Sequence, residues 1–457
     1  MTVNKVKNHQ LAAVIEEAGC TYQALAKGVR SVAAEAGELL RTSPSAVHSW
    51  VAGGAPTGRT ALYIAEALTR MVKRKVTCSE IGLGCDGIGE ALSADPIATA
   101  ADLGRHLVHR RRAFLALTFS IAATALPLAY DHQAATETLR AAKGGGRAGA
   151  EEIATVRSLT ASFRSADDRL GGGHGLSTTV AYLTDTVLPM LQATYPTEEV
   201  RRNAFGAAAE LATLVGWKLH DLGREGAAQQ YYLLGFQLAC EADPAGHGAW
   251  MLRALTHQAL DLGQPRHTAD LAEAALARSR GKVDRSTEAL LLVTAARAYG
   301  ASGRSRDAAR AILAAEDALL SSDGPVPSYA AASGPVVSTV ASHTGRTLTE
   351  MQDYTAAERH YRKAMAGRVP GTYQRVRGLT IANLAKTVAA QRRHEEAVTL
   401  WHQCLDAMEG IESFRYRKEL EAIQSSMAVY ARRQIPGSAQ LAQRVAGLAP
   451  HQATLAL

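Results

Sequence analysis

Apolar residues recur three and four positions apart along almost the whole chain, and alternating β-branched runs are scarce, so the pattern predicts helices nearly throughout. In the first eighty residues, "HQLAAVIEEAG" puts Leu11, Val14, Ile15 and Ala18 on one face. "TYQALAKGVRSVAAEAG" does the same with Leu25, Val29, Val32 and Ala36, and Thr21 is its cap. In "RTSPSAVHSWVAGGAPTGRTALYIAEALTRMV", Ser43 before Pro44 marks a helix start, Val47 and Trp50 turn inward, and Gly53-Gly54 ends the helix. Thr57 to Val72 then reads as a further helix with Leu62, Ile64, Ala65 and Leu68 inside.

The second half repeats. Leu222-Gly223, Leu262-Gly263 and Ser302-Gly303 fall forty residues apart, each closing one helix before another begins. After a ten-residue excess at the Pro/Gly-rich stretch 321–335, the phase resumes with Asp353 and Arg393, again forty apart. Eight residues beyond each anchor stand Tyr231, Leu271, Ala311, Tyr361 and Trp401, and small residues (Ala228, Ala269, Ala308, Ala357, Ala397) fall four to six beyond. One fixed phase of small and large apolar positions predicts stacked helical hairpins. The stretches "AELATLVGWKLHDLGREGAAQQYYLLGFQLA" and "ARAYGASGRSRDAARAILAAEDAL" resemble tetratricopeptide repeats, with longer helices than the family's usual period of about 34 residues implies. The expected fold is therefore all-α: an N-terminal helix-turn-helix bundle followed by a tetratricopeptide-like α-solenoid in a right-handed superhelix. Glycine clusters divide it into residues 1–84, a linker and apolar helix at 85–150, and repeats at 151–457.

Short helix, Trp, Gly-Gly, Pro and a helix ending "ALTRMV" resemble the helix-turn-helix of phage-repressor-like regulators. That resemblance implies that 44–52 is the recognition helix, inserted into the major groove of double-stranded DNA. Its outward residues Ser45, Ala46, His48 and Ser49 are the candidate base readers, although Ser and His lack the bidentate geometry of Arg to guanine. Arg41 and Arg59 are the candidate phosphate contacts. The segment before Ser43 departs from the motif by about ten extra residues, which leaves open whether Lys27 and Arg30 face DNA.

The order of blocks, "GVRSVAAEAG", "SAVHSWVAGGAPTGR", "IAEALTRMVKRKVTCSEIGLG", "RRRAFL", "ADDRLGGGHG" and "VAYLTDTVLPML", resembles an actinobacterial group of regulators. They fuse a phage-repressor-like (XRE-type) helix-turn-helix to C-terminal tetratricopeptide repeats. The resemblance implies a cytoplasmic transcription regulator, a homodimer on DNA, whose array binds a peptide, small-molecule or protein ligand. The groove candidates are polar positions on first helices, Lys218, Arg253, His257, Arg297 and Asn383, with Asn383 able to pair with a peptide backbone through both donor and acceptor. A second class of function, an interaction scaffold whose N-terminal unit only dimerises or docks, fits the same pattern.

Charge sharpens this picture modestly. The formal charge is +7, and residues 1–82 carry ten Lys+Arg against six Asp+Glu, so +4 of it lies at the proposed DNA-binding end. The five cysteines form no C-x-x-C and are expected to be free thiols of a reducing cytoplasm. His106 and His109 lack a third ligand, and no G-x-S-x-G, H-E-x-x-H or paired carboxylates point to an enzyme, so no cofactor or metal is expected. "LGGGHG" at 170–175 has no preceding strand and no G-K-[ST]; it reads as an ordered turn tied down by Asp167, Asp168 or His174. "KGGGRAG" reads as a linker.

"RRRAFLALTFSIAATALPLA", Arg110 to Ala129, resembles a twin-arginine export signal. As a helix its apolar part spans about 25 Å, short of the roughly 30 Å hydrocarbon core, and more than a hundred residues precede it. A helix packed between the DNA-reading unit and the sensor is expected, without stable membrane insertion.

Overall fold

The computed structural model describes residues 7–35, 38–57, 59–74, 76–83, 95–109, 119, 124, 127, 147–322, 324–332, 334–368 and 373–453. Among them every regular element is a helix, and the two isolated bridges join Arg147 to Thr194 and Gly171 to Glu412.

The N-terminal unit comprises α1 (His9–Glu17), α2 (Tyr22–Glu35), α3 (Pro44–Val51) and α4 (Thr60–Val72). Asn8 ties three of its parts together: Oδ1 caps α1 at Leu11 N (2.9 Å), Nδ2 donates to Ile81 O (2.9 Å), and its backbone N–H donates to Val51 O (2.8 Å). Of the expected inner faces, Leu11, Leu25, Val29, Val47, Ile64 and Leu68 are buried in one core that also takes in Val76, Ile81 and Leu83, Ala18 and Leu62 are half-buried against it, and Ala36 lies outside the described residues. Two boundaries differ from expectation. The fourth helix starts at Thr60, whose N–H donates back to Thr57 O. The connection from α2 to α3 is residues 36–43 in all, so it exceeds the compact turn of three to four residues by about four, not about ten. Arg30 pins it by donating to Thr42 O.

The cysteine expectation is corrected in part. Cys20, Cys240 and Cys404 are free, but Cys78 is disulfide-bonded to a partner outside the described residues.

Helix α5 (Pro96–His109) packs on the array, where Ile97, Ala100 and Leu103 join the apolar core of the repeats. Of the Arg110–Ala129 segment, only Phe119, Thr124 and Pro127 are described, and all three are buried; the rest lies outside the described residues, as does most of "KGGGRAG". No helix among the described residues is long and apolar enough to cross a membrane.

The array opens with α6 (Ala150–Leu170), then α7 (Leu176–Tyr182), which continues through a π-helical turn (Leu183–Val187) into α8 (Leu188–Leu191). Consecutive helix pairs follow: α9 (Glu198–Asp221) with α10 (Glu225–Ala242), α11 (His247–Asp261) with α12 (Thr268–Ser279), and α13 (Arg285–Ala301) with α14 (Ser305–Leu320). After a single turn, α15 (Ser328–Ala331), come α16 (Val336–Glu350) with α17 (Tyr354–Ala366), α18 (Gln374–Ala390) with α19 (His394–Ala407), and α20 (Phe414–Arg432) with α21 (Ser438–Ala453). Side-chain caps start several of them: Thr197, Asp284, Asp353 and Ser413 each accept from a backbone N–H three residues on.

The repeat phase is visible in the backbone. Each first helix ends in a left-handed residue: Gly223 (φ 71°), Gly263 (66°) and Gly303 (74°), then Gln352 (63°), Arg392 (66°) and Gln434 (51°). Glycine takes this conformation without strain, whereas the later repeats hold side chains in it. The equivalent positions therefore lie at 352 and 392, one residue before Asp353 and Arg393. The large apolar positions Tyr231, Leu271, Tyr361 and Trp401 are all essentially inaccessible, as are Ala228, Ala308, Ala357 and Ala397.

Two features close the array on itself. The stretch 321–335 crosses back over the early repeats: Ser328 Oγ donates to Glu210 Oε1 (2.7 Å), and Tyr329 stacks on His247 (ring centroids 4.6 Å apart) beside Trp250. The Gly171-Gly172 turn after α6 is clamped between early and late repeats. A Cβ at Gly171 would meet Glu412 O at 2.0 Å, and one at Gly172 would meet Lys218 O at 2.5 Å. Only glycine allows this approach.

Candidate functional site

Two surfaces hold polar groups not spent on local structure, one facing outward and one inward. The outward one is α3. Ser43 caps it at Ala46 N (3.3 Å), Pro44 pre-sets its first turn, and Gly53 (φ 94°) stops it. Val47 and Trp50 are buried beneath, so Ser45, His48 and Ser49 stand exposed together while Ala46 is half-buried. Tyr22, at the start of α2, meets the His48 ring edge-on (6.3 Å).

The charges of this unit are sorted by pairing. Arg59 donates to Glu38 (2.9 Å), Arg70 to Glu35 (2.8 Å) and Glu66 (2.9 Å), and Arg74 pairs with Glu17 and Glu80. Arg59, expected to grip a phosphate, is thus committed to a carboxylate. Arg41 is exposed and makes no ion pair among the described residues, as is true of Lys27 and Lys73; Arg41 and Arg30 lie together at the entry to α3. The cationic flank of α3 is therefore on its N-terminal side.

Arg70 also donates to the backbone O of Phe119 (3.3 Å). The Phe119 side chain is buried against Ala259 and Leu262 at the end of α11, and Gln229 Nε2 on α10 donates to Thr124 Oγ1 (3.0 Å). One stretch of chain thus touches the N-terminal unit and the array at once.

The inward surface is lined by the first helices of the repeats. The groove candidates lie here, more deeply than an open groove implies: Lys218 and Arg297 are 1% exposed and Arg253 8%, while His257 and Asn383 are half-buried. Lys218 Nζ donates to His174 O (2.7 Å), so it holds the Gly-rich turn. Arg375 bridges Asp167 (2.6 Å) and Asp221 (2.9 Å), Gly172 N–H donates to the same Asp221, and Asp168 accepts from Gln374 N. These contacts bring Lys218 beside late repeats, with Asp167 3.6 Å away.

Asp261 is the hub. It accepts from Arg297 (3.1 Å) and Arg346 (2.8 Å), lies 3.5 Å from Arg415, and sits 3.8 Å from His220 Nε2. Although burial opposes ionisation, Arg346, His220 and Arg297 hold its carboxyl well below the usual range. Burial pushes His220 down, but Glu225 (2.8 Å), assisted by Asp261, carries it up to about 9. His257 accepts from Arg297 Nη1 at Nδ1 (2.6 Å), and its Nε2 lies 3.0 Å from Thr294 Oγ1. The His343 ring stacks on it at 4.6 Å. Burial, with the arginines close by, holds both rings well below the ordinary histidine range, so both are neutral. Arg253 is different: it lies over the Trp250 ring (4.3 Å), and burial together with Arg297 pushes it down to about 9, without a carboxylate to offset them.

Sequence reasoning missed Asp261, His343, Arg346, Arg375 and Arg415. A signal existed. Arg253, His257 and Asp261 form an i, i+4, i+8 stripe, and His257, Arg297 and Arg346 occupy one repeat register once the insert is allowed for. Among the described residues no group of three His, Cys, Asp or Glu is arranged to hold a metal ion. No curated protein matches the chain. Residues 11–84, the helical unit built around α3, are similar to the family described as the SP15 N-terminal domain.

Proposed function

We propose that the chain is a DNA-binding transcriptional regulator whose repeat array binds a signal or partner and couples that binding to an operator. The observation that carries the reading is the outward face of α3. Ser45, His48 and Ser49 are exposed side by side on a capped helix locked from below by Val47 and Trp50, with Arg41 beside them. Such a helix suits the major groove, its N-terminal residues at base edges and the flanking cation on phosphate. The resemblance to actinobacterial helix-turn-helix and tetratricopeptide regulators supports the same reading. A homodimer places two such helices on half-sites about one helical turn apart. It works in the cytoplasm, a reducing compartment that favours opening of the Cys78 bridge. The path Arg70, Phe119, Ala259 supports coupling, since a signal regulates only if it favours one arrangement of the two units.

Fluorescence anisotropy of the full chain on DNA flanking its gene, over a salt series, tests this. Binding preferring that DNA over a scrambled duplex is expected, with the preference reduced in Ser45→Ala/His48→Ala. Equal affinity for both duplexes would sink it. The scaffold reading draws support from Arg59's ion pair and from an α3 without Arg, Lys, Asn or Gln. It predicts a dimer in sedimentation with no sequence-preferring DNA binding.

A further inference from the structure

We propose that the interior of the array is a binding site for a small oxyanion, the phosphate or carboxylate of a compact metabolite, held by Arg253 with Arg297, His257 and His343 around it. The inference deepens the sensor half of the proposed function and rests on that reading only for its purpose.

Arg253 carries the argument. It is 92% buried by its 8% exposure, it makes no hydrogen bond or ion pair among the described residues, and its Nε is enclosed without an acceptor. The other Lys and Arg side chains that are less than a tenth exposed among the described residues are matched. Arg297 and Arg346 share Asp261, Arg375 has Asp167 and Asp221, Lys218 has His174 O, and Arg368 donates to Thr380 Oγ1. A buried unpaired guanidinium is costly, and an anion that pairs with it removes the cost. Two further nitrogens nearby are enclosed and unmatched, Arg297 Nε and His343 Nδ1, so α11, α13 and α16 each offer one. His257 and His343 are both under the influence of Arg253 and Arg297, which places the four side chains in one neighbourhood. With Glu225 balanced by its protonated partner His220, Arg253, Arg297, Arg346 and Arg415 outnumber Asp261 and the exposed Glu350, so the centre has a positive excess.

The geometry also sets the occupant's size. Asp261 binds side chains from α13 and α16 and approaches α9 and α20, so the first helices meet across the axis. The insert seats Tyr329 on His247 next to Trp250. Among the described residues these crossings interrupt the inner surface, which favours a compact anion over an extended peptide strand, and the partial exposure of His257 and His343 marks its way in. The unmatched Nδ1 of neutral His343 can donate to an oxyanion without adding to the charge, while His257, engaged by Arg297 and Thr294, holds Arg297 in place.

The test uses the full chain without DNA, so its failure and failure of the operator assay are separable. Inorganic phosphate and, separately, citrate are titrated against chloride at constant ionic strength, following tryptophan fluorescence and the thermal midpoint. A saturable rise in the midpoint with a fluorescence change is expected, the larger response telling phosphate from carboxylate. Arg253→Gln is expected to weaken that response by more than about tenfold, and to melt above the wild type in chloride because an unpaired buried charge is gone. Should the Gln variant fail to fold, Arg253→Lys carries the test through its lost bidentate fork. Saturable responses equal in wild type and variant, or no saturable response to either anion, would overturn the proposal.

Discussion

The arginines of the N-terminal unit and those of the array are used in opposite ways. In the first, Arg59 and Arg74 pair with glutamates at the surface and Arg70 with half-buried Glu35 and buried Glu66, each arginine with its own carboxylates, which leaves Arg41 and the polar face of α3 uncommitted. In the second, Arg297, Arg346 and Arg415 come from three different helices to one carboxylate, Asp261. Exposed pairs contribute little each because solvent screens them, whereas a shared buried carboxylate becomes indispensable. The comparison teaches where each region tolerates change: the N-terminal unit at its charges, the array at almost none of its interior.

The most severe break is Asp261→Asn. It leaves buried Arg297 and half-buried Arg346 without their counter-charge and is expected to cost about 3 kcal/mol in urea unfolding. A loss as small as that of Glu38→Gln, expected below about 1 kcal/mol, would erase the contrast.

The next effect is a pH dependence. Folding raises His220 from 6.5 to about 9 through Glu225 and Asp261, against Arg415. Its stabilisation is therefore complete below pH 6.5 and is lost as pH rises through 9, by at most about 3 kcal/mol. Thermal melts across that window should show the decline in the wild type and its absence in His220→Gln. An identical decline in both would detach it from this histidine. On the acid side the signs reverse. His247, held down to about 3 by burial, and the similarly depressed His257 and His343 favour unfolding as pH falls below 6.5.

Smaller is the contrast between two arginines near α3. Arg41→Ala should flatten the salt dependence of DNA binding by about 0.9 in the log–log slope, the loss of one phosphate contact. Arg59→Ala should do so much less, since Glu38 already occupies it. Equal slopes would mean that DNA displaces Glu38.

The smallest effect concerns the repeat turns. Gln352→Gly and Arg392→Gly, both exposed at positive φ, are each expected to stabilise by up to about 1 kcal/mol. Gly263→Ala is the control, with open space around its Cβ but a φ of 66°, and should destabilise. No gain at 352 or 392 would mean that local contacts already relieve the strain there.

Much of this was legible from local pattern. The 3.6-residue period placed the faces of α1 to α4, the Ser43-Pro44 pair placed the start of α3, and the forty-residue phase placed Tyr231, Tyr361 and Trp401 in the core. These features are set by residues within a turn or two of each other, so the chain carries them explicitly. The length of the loop before α3 and the start of α4 were less legible, because capping by a backbone turn leaves no distinctive residue type.

The pairings were not legible. Arg375 meets Asp167 across 208 positions, Ser328 meets Glu210 across 118, and Phe119 lies against Ala259. Such partners are selected by the curvature that many small helix–helix angles accumulate, a sum no local window contains. The sequence by itself determined the helices, their order and the outward face of α3. Tertiary structure alone decided that the first helices of the repeats converge, so that charges expected along an open groove became a buried network with Arg253 left unmatched.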